Sequence, residues 1–321
     1  MRVLITGAAG FLGRAFAEHH AKIGNHVYGI DDNSNPNSFW PERIFQRIDG
    51  DAAEVLATMP RIVEHFDLAY HFAGDVGGRV VIEGDPLRNA DSLRLDTAFF
   101  RWAVRHAGTV VYPSSSAVYG ASLQNPDRGK VRPLWEALFD PADTASTWFV
   151  PDELYGFTKL AGEVLAWKSA GYGLNALCIR PFSGYGPDQG LDYPVPAIAA
   201  RVARREDPLT IWGSGRQVRD FIYIDDLVAA TEARLGAGVT GYQAMNIGSG
   251  EPILFREVAA ILARIEGYQP HVVTDPDRPT GVAIRYADVT EMHRYYVARI
   301  SLHDGLAAVL ERRKAIEGVP V

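Results

Sequence analysis

Thr6-Gly7-Ala8-Ala9-Gly10-Phe11-Leu12-Gly13 is the stretch that decides the fold. It ends the apolar run Val3 to Thr6 and leads directly into a helical pattern from Phe11 to Ile23. In that order, strand, G-x-x-G-x-x-G turn and helix open a βαβ unit. Its glycines let the chain turn tightly, let backbone N–H groups approach a pyrophosphate, and let the helix pack close to the sheet. A glycine triplet alone is a weak signal, but the next strand, His26 to Asp31, ends on a carboxylate 18 residues after Gly13. A carboxylate there suits the adenosine ribose diol and repels a 2′-phosphate, so NAD is expected in preference to NADP.

Further apolar or β-branched runs follow at Leu68 to Phe72, Val110 to Ser114 and Leu174 to Arg180, with helical patterns at Ala90 to His106 and Leu154 to Ser169. Strands alternating with helices imply an α/β fold, a doubly wound parallel sheet of the Rossmann kind. From Pro181 the rhythm breaks at Gly184, Gly186, Pro187, Gly190, Pro194 and Pro196. We therefore expect an NAD-binding domain over 1–180 and a smaller C-terminal substrate lobe over 181–321, some of whose segments return to the first domain. The stretch Ala121 to Asp152 has no sustained period and reads as an insertion, either a lid or a structural flap.

Composition narrows the function. The chain has 321 residues, 47% of them hydrophobic and 22% charged, enough for a substantial core. A net charge of -7 provides no field to gather nucleic acid or anionic lipid, so any bound phosphate needs a local site. Cys178, the one cysteine, lies in an apolar run and reads as a buried structural thiol. Disulfide scaffolds and thiolate zinc clusters are excluded, and no metal is expected. No apolar stretch reaches membrane-spanning length and no leader pattern opens the chain, so a cytoplasmic protein with no membrane partner is expected.

The chemistry-bearing residues lie between the fourth strand and the helix beyond the insertion. Val110 to Ser114 runs into Ser115-Ser116-Ala117-Val118-Tyr119-Gly120, and Tyr155-Gly156-Phe157-Thr158-Lys159 comes later. Tyr155 and Lys159 are four residues apart, which places them on one helix face a turn apart. A tyrosine, with an ordinary pKa of about 10, is a poor base at neutral pH, and a neighbouring ammonium and an oxidised nicotinamide ring both favour the phenolate.

Taken together, the glycine fingerprint, Gly50-Asp51, His71-Phe72-Ala73-Gly74, the serine cluster and Tyr-x-x-x-Lys resemble the extended short-chain dehydrogenases/reductases, the NAD-dependent nucleotide-sugar epimerases and dehydratases. The resemblance continues through Arg180-Pro181-Phe182-Ser183-Gly184-Tyr185-Gly186-Pro187, Gly213 to Leu227, Asn246 to Gly250, and Arg278 ahead of Arg285-Tyr286-Ala287-Asp288. It implies a cofactor site of Gly7, Gly10, Phe11, Leu12, Asp31, Asp51, Ala73, Tyr155 and Lys159. It also implies a catalytic set of Ser115, Tyr155 and Lys159, Ser115 being found by counting back from Val118-Tyr119-Gly120. The resemblance further implies a nucleotide-diphosphate sugar as substrate, held by Ser183, Arg219 and Arg278, with Ser183 standing where the family usually has asparagine. Relatives pair the two long helices at Ala90 to His106 and Leu154 to Ser169, which implies a homodimer. His71 is given no catalytic role.

Members of this family begin by oxidising a sugar hydroxyl, and the second stage of the reaction depends on the residues after the catalytic serine. Sugar 4,6-dehydratases carry Asp-Glu there, and the GDP-mannose 3,5-epimerase group, which shares a glycine pair like Gly77-Gly78, uses a cysteine where this chain has Ala117. Here Ser116 and Ala117 can take no proton from carbon, which leaves 4-epimerisation through a transient 4-keto sugar. The alternatives are dehydration or 3,5-epimerisation with an acid or base from an unmatched segment and, in a different class, a non-catalytic NAD-binding module. The absence of arginine at Gly190, where uronate epimerases carry one, tilts the sugar toward a neutral hexose.

Overall fold

The computed structural model describes residues 1–59, 64–126, 131–143 and 150–318. The first half runs β1 (Arg2–Thr6), α1 (Phe11–Lys22), β2 (His26–Asp31), β3 (Gln46–Asp49), α2 (Ala52–Thr58), β4 (Phe66–His71), α3 (Arg79–Gly84), α4 (Pro86–Ala90), α5 (Ser92–His106) and β5 (Ala107–Pro113). After the insertion come α6 (Glu153–Ala170), β6 (Asn175–Pro181), β7 (Gly184–Tyr185), α7 (Pro194–Ala203), β8 (Leu209–Trp212), β9 (Val218–Arg219), β10 (Ile222–Tyr223) and α8 (Ile224–Gly236). The chain closes with β11 (Tyr242–Ile247), β12 (Ile253–Leu254), α9 (Phe255–Ile265), β13 (Val272–Asp275), β14 (Ile284–Arg285) and α10 (Leu302–Glu317).

A parallel seven-stranded sheet in the order β11-β6-β5-β4-β1-β2-β3 forms the body. All five strands expected from the sequence are in it. Its central strands are continuous buried runs, such as Val3, Leu4 and Ile5, because helices cover both faces. Two strands escaped the sequence reading for opposite reasons. β3 is a polar edge strand, Gln46-Arg47-Ile48-Asp49, with no apolar run to betray it. β11 is recruited from beyond Pro181 to pair with β6, and α8 returns with it to pack against α1.

Segments outside that sheet build the smaller lobe. Helices α7, α9 and α10 bury Val195, Ile198, Val258, Leu262, Leu306 and Val309 against one another. Three small sheets edge them: β10 with β7, β13 with β8, and β12-β9-β14. The described part of the insertion is tied down rather than free. Arg180 donates to the carbonyls of Glu136 and Phe139, and Leu134 exchanges backbone hydrogen bonds with Tyr286 and Asp288. Residues 127–130 and 144–149 of that insertion lie outside the described residues.

Candidate active site

The sheet order reverses between β1 and β4, and a crevice opens at such a switch point beyond the carboxyl ends of the strands. There a cleft of about 1160 Å³ runs from the first glycine turn to the small lobe. Gly7, Gly10, Phe11, Leu12, Asp31, Asp51 and Ala73 line one end. Gly7 holds φ +68°, and a Cβ on it would sit 2.5 Å from the carbonyl carbon of Phe72; one on Gly13 would sit 2.0 Å from the oxygen of Gly7. The turn and helix α1 are thus closed to any side chain at these two positions, as a backbone cradle for a pyrophosphate requires.

At the end of β2, Asp31 accepts from Ala9 N (2.9 Å) and Asn33 N (2.8 Å), and burial pushes its carboxyl up. Each oxygen keeps a lone pair for a ribose hydroxyl, so the residues present fit the dinucleotide. Asp51 has a further job that the sequence did not announce. It caps α2 by accepting from Ala53 N and Glu54 N, and it pairs with Arg94, the guanidinium holding its carboxyl below the usual range.

The middle of the cleft is lined by Ser115, Tyr155 and Lys159. Helix α6 carries the tyrosine and lysine, and Gly156 lets it press on the serine turn, since a Cβ there would meet Ala117 O at 2.4 Å. Lys159 is 7% exposed, with Nζ 5.2 Å from the Tyr112 ring centre and 6.0 Å from that of Tyr155. Of the three serines, Ser114 is spent: its hydroxyl donates to Glu163, which also forms a fully buried pair with Arg180 (2.6 Å). Among the described residues Ser115 Oγ accepts only from Ala117 N (3.1 Å) and still has a proton to give. Ser116 and Ala117, buried behind it, complete that wall.

Sequence reasoning missed the network beneath the lysine. His71 contacts Thr6 Oγ1 through Nδ1 (2.8 Å) and Asp96 through Nε2 (3.1 Å), Tyr112 donates to Asp96 (2.9 Å), and Ala73 N donates to Thr6 Oγ1 (3.2 Å). Burial pulls the imidazole down. His71 is therefore a satisfied core histidine that ties the cofactor turn to α5. Cys178 is fully buried, and desolvation drives its thiol well up, as expected of a structural thiol.

At the far end of the cleft lie Ser183, Arg219, Arg285, Arg79 and Asp152. Arg219 donates to two carbonyls, Val218 O (2.8 Å) and Thr280 O (3.2 Å), with its guanidinium 5.7 Å from the Phe255 ring centre. Desolvation, with repulsion from Arg285 and Arg79, brings it down to about 9. Asp152 accepts from Arg79 (3.0 Å) and Arg285 (2.7 Å); burial pushes its carboxyl up, but the two cations outweigh that and hold it below its ordinary value. Arg278 is placed differently from the other expected residues. It pairs with Asp275 (3.3 Å), its side chain is 53% exposed, and it lies over the ring of Trp212, which lines the cleft while Arg278 itself does not.

A dinucleotide cradle at the switch point of a parallel sheet, a Tyr-x-x-x-Lys helix beside it and an arginine-lined second lobe define the class: an NAD-dependent enzyme of the short-chain dehydrogenase type. Residues 3–248 match the NAD dependent epimerase/dehydratase family, and the chain belongs to it. It is 29% identical over 326 residues to an uncharacterised UDP-glucose epimerase of Bacillus subtilis, covering 95% of this chain and 96% of that one. It is 28% identical over 323 residues to a UDP-glucuronate 4-epimerase of Thermodesulfobacterium geofontis, covering 94% and 93%. Among solved structures, the UDP-glucuronic acid 4-epimerase of Bacillus cereus, in complex with UDP-glucuronic acid and NAD, matches with a TM-score of 0.83 at 26% identity, over 98% of this chain and 100% of that one. Among the described residues no helix is long and apolar enough to cross a membrane, and no cluster of His, Cys, Asp or Glu could hold a metal.

Proposed function

We propose that the protein is a nucleotide-sugar 4-epimerase. The observation that carries this reading is the wall behind Ser115, where Ser116 and Ala117 are buried against α6 and provide no group able to take a proton from carbon. Asp152, the carboxylate nearest in sequence to Tyr155 on its N-terminal side apart from Glu153, is engaged by two arginines and is a poor base for the same purpose.

In this reading Gly7, Gly10, Phe11, Leu12 and Ala73 seat the cofactor, Asp31 holds the adenosine ribose, and Asp51 sits by the adenine. When bound, NAD supplies a reversible acceptor for the hydrogen on C4. Tyr155 takes the proton of the C4 hydroxyl and later returns it, Lys159 provides the positive charge that favours the phenolate, and Ser115 donates a hydrogen bond to the same oxygen. Ser183 and Arg219 hold the substrate diphosphate, for which a planar fork of donors is suited. The names of the relatives favour a uridine nucleotide. The 1–180 and 181–321 halves serve cofactor and substrate respectively, with 224–247 returning to the cofactor sheet. A homodimer through α5 and α6 belongs to the same reading, supported by their packing on each other and by half-exposed Phe157 on α6, and so does a cytoplasmic setting.

The test is turnover of a nucleotide sugar in deuterium oxide, followed by NMR of the product. Dehydration and epimerisation at C3 or C5 each pass a carbon-bound proton to a protein base, which exchanges with solvent. A 4-epimerase gives product with no deuterium on any ring carbon; deuterium at C3, C5 or C6 would sink the assignment.

A further inference from the structure

We infer that Tyr193 is a sugar-contacting residue of this cleft, its phenol donating a hydrogen bond to a hydroxyl of the hexose other than the one at C4. The inference rests on the nucleotide-sugar reading above and adds a residue to that site. Among the described residues three tyrosines line the cleft, Tyr155, Tyr185 and Tyr193. The hydroxyl of Tyr185 is turned to α10, where a Cβ on Gly305 would sit 2.2 Å from it. The hydroxyls of Tyr155 and Tyr193 have no hydrogen-bond partner among the described residues. The C4 proton accounts for the first and leaves the second without a task.

Tyr193 reaches the cleft from the small lobe, opposite the domain that carries Tyr155, and its backbone is fixed. It stands at the N-terminal cap of α7 with Pro194 after it, and its N–H donates to Gly190 O (3.2 Å). Asp192, the residue before, accepts from Gly78 N (2.7 Å), and a Cβ on Gly78 would sit 1.7 Å from the Asp192 carbonyl oxygen. The segment carrying Tyr193 therefore rests directly on the loop after β4. In this way the small lobe delivers a phenol to the middle of the cleft, close enough for Tyr155 to act on it electrostatically. Burial, then the Asp192 carboxylate and Tyr155, push the Tyr193 phenol up, so it keeps its proton at neutral pH and serves as a donor. Tyr155, by contrast, shares its helix face with Lys159. Two phenols on one reacting space thus take opposite parts: one exchanges a proton with the C4 hydroxyl and the other holds its own. A hexose enclosed in a cleft loses water from its remaining hydroxyls, and each needs a protein partner in exchange. A fixed phenol with a free proton is such a partner.

The experiment titrates NAD-loaded wild-type protein and Tyr193→Phe with UDP-glucose and with UDP by calorimetry, with dTDP-, CDP- and GDP-sugars and their diphosphates as alternatives, and follows turnover of the sugar that binds. Retained NAD and melting temperature report folding. Tyr193→Phe should weaken the nucleotide sugar and raise its KM by about three- to tenfold, the loss of one neutral hydrogen bond, with diphosphate affinity and kcat each within about twofold. If Tyr193→Phe does not fold, Tyr193→Met, an adaptable apolar side chain without a hydroxyl, gives the same reading. Equal affinity for the nucleotide sugar in variant and wild type overturns the inference. So does an equal loss for the diphosphate, which would place the phenol on the nucleotide, or a loss of bound NAD alone, which would place it on the cofactor. Deuterium entering a ring carbon from deuterium oxide in wild type and not in Tyr193→Phe would make Tyr193 an acid or base, and overturns it as well. Wild-type protein that keeps NAD yet binds none of the four diphosphates removes the nucleotide-sugar reading itself, a result distinguishable from the others.

Discussion

The two ends of the cleft are built in different ways. The end of the cleft at the glycine turn is made largely of backbone: glycines with no room for a side chain, the ends of paired strands, and N–H groups of a turn, with the carboxylates of Asp31 and Asp51 beside them. The far end is made of side chains brought from four distant segments, with Arg79, Asp152, Arg219 and Arg285 meeting over strands only two residues long. A backbone site is set by local sequence and tolerates little change. A side-chain site depends on how separate segments dock, and its members can be exchanged without disturbing the sheet.

Tyr155→Phe is the largest effect we expect, and it tests the junction between the two ends. Turnover should fall by at least about a hundredfold, while NAD and nucleotide affinities stay within about twofold, because the ring remains and only the proton acceptor is lost. Steady-state rates beside calorimetric titrations check this, and activity above about a tenth of wild type would show that another group is the base. Next, Gly13→Val drives a side chain into the backbone of Gly7, so the purified protein should lose its bound NAD and about 1–3 kcal/mol of stability. Absorbance of released cofactor and a denaturant curve report both. If NAD is retained at wild-type stoichiometry, the backbone account of that end is wrong.

The smallest effect concerns acid. The Asp152 carboxyl is held below its unfolded value by Arg285 and Arg79, so its contribution to stability is present above the unfolded pKa of about 3.9 and fades as pH falls through the lower folded value. Wild-type protein should exceed Asp152→Asn in stability at pH 7, and the two curves should converge below about pH 4. Melting temperatures across pH 3 to 7 measure it. A constant gap over that range would mean that Asp152 contributes through packing and not through its charge.

The sequence by itself determined the half of the molecule in which neighbours along the chain are neighbours in space. The strand, glycine turn, helix and terminal Asp31 come one after another within 31 residues, and Tyr155 and Lys159 share a helix turn, so the glycine turn of the first βαβ unit and the helix carrying Tyr155 and Lys159 could be read directly. Ser115 is found by counting back from Val118-Tyr119-Gly120, whereas the engagement of the Ser114 hydroxyl by Glu163 is visible only in the structure. The edge strand β3 stayed hidden because an exposed polar strand carries no hydrophobic period. The return of β11 to the sheet, the docking of the insertion through Arg180, and the placing of Arg285 opposite Arg219 were decided by tertiary structure alone. Each joins residues more than 40 positions apart, and such contacts are selected by the packing of whole elements and the pairing of buried charges, which leave no periodic trace in either segment.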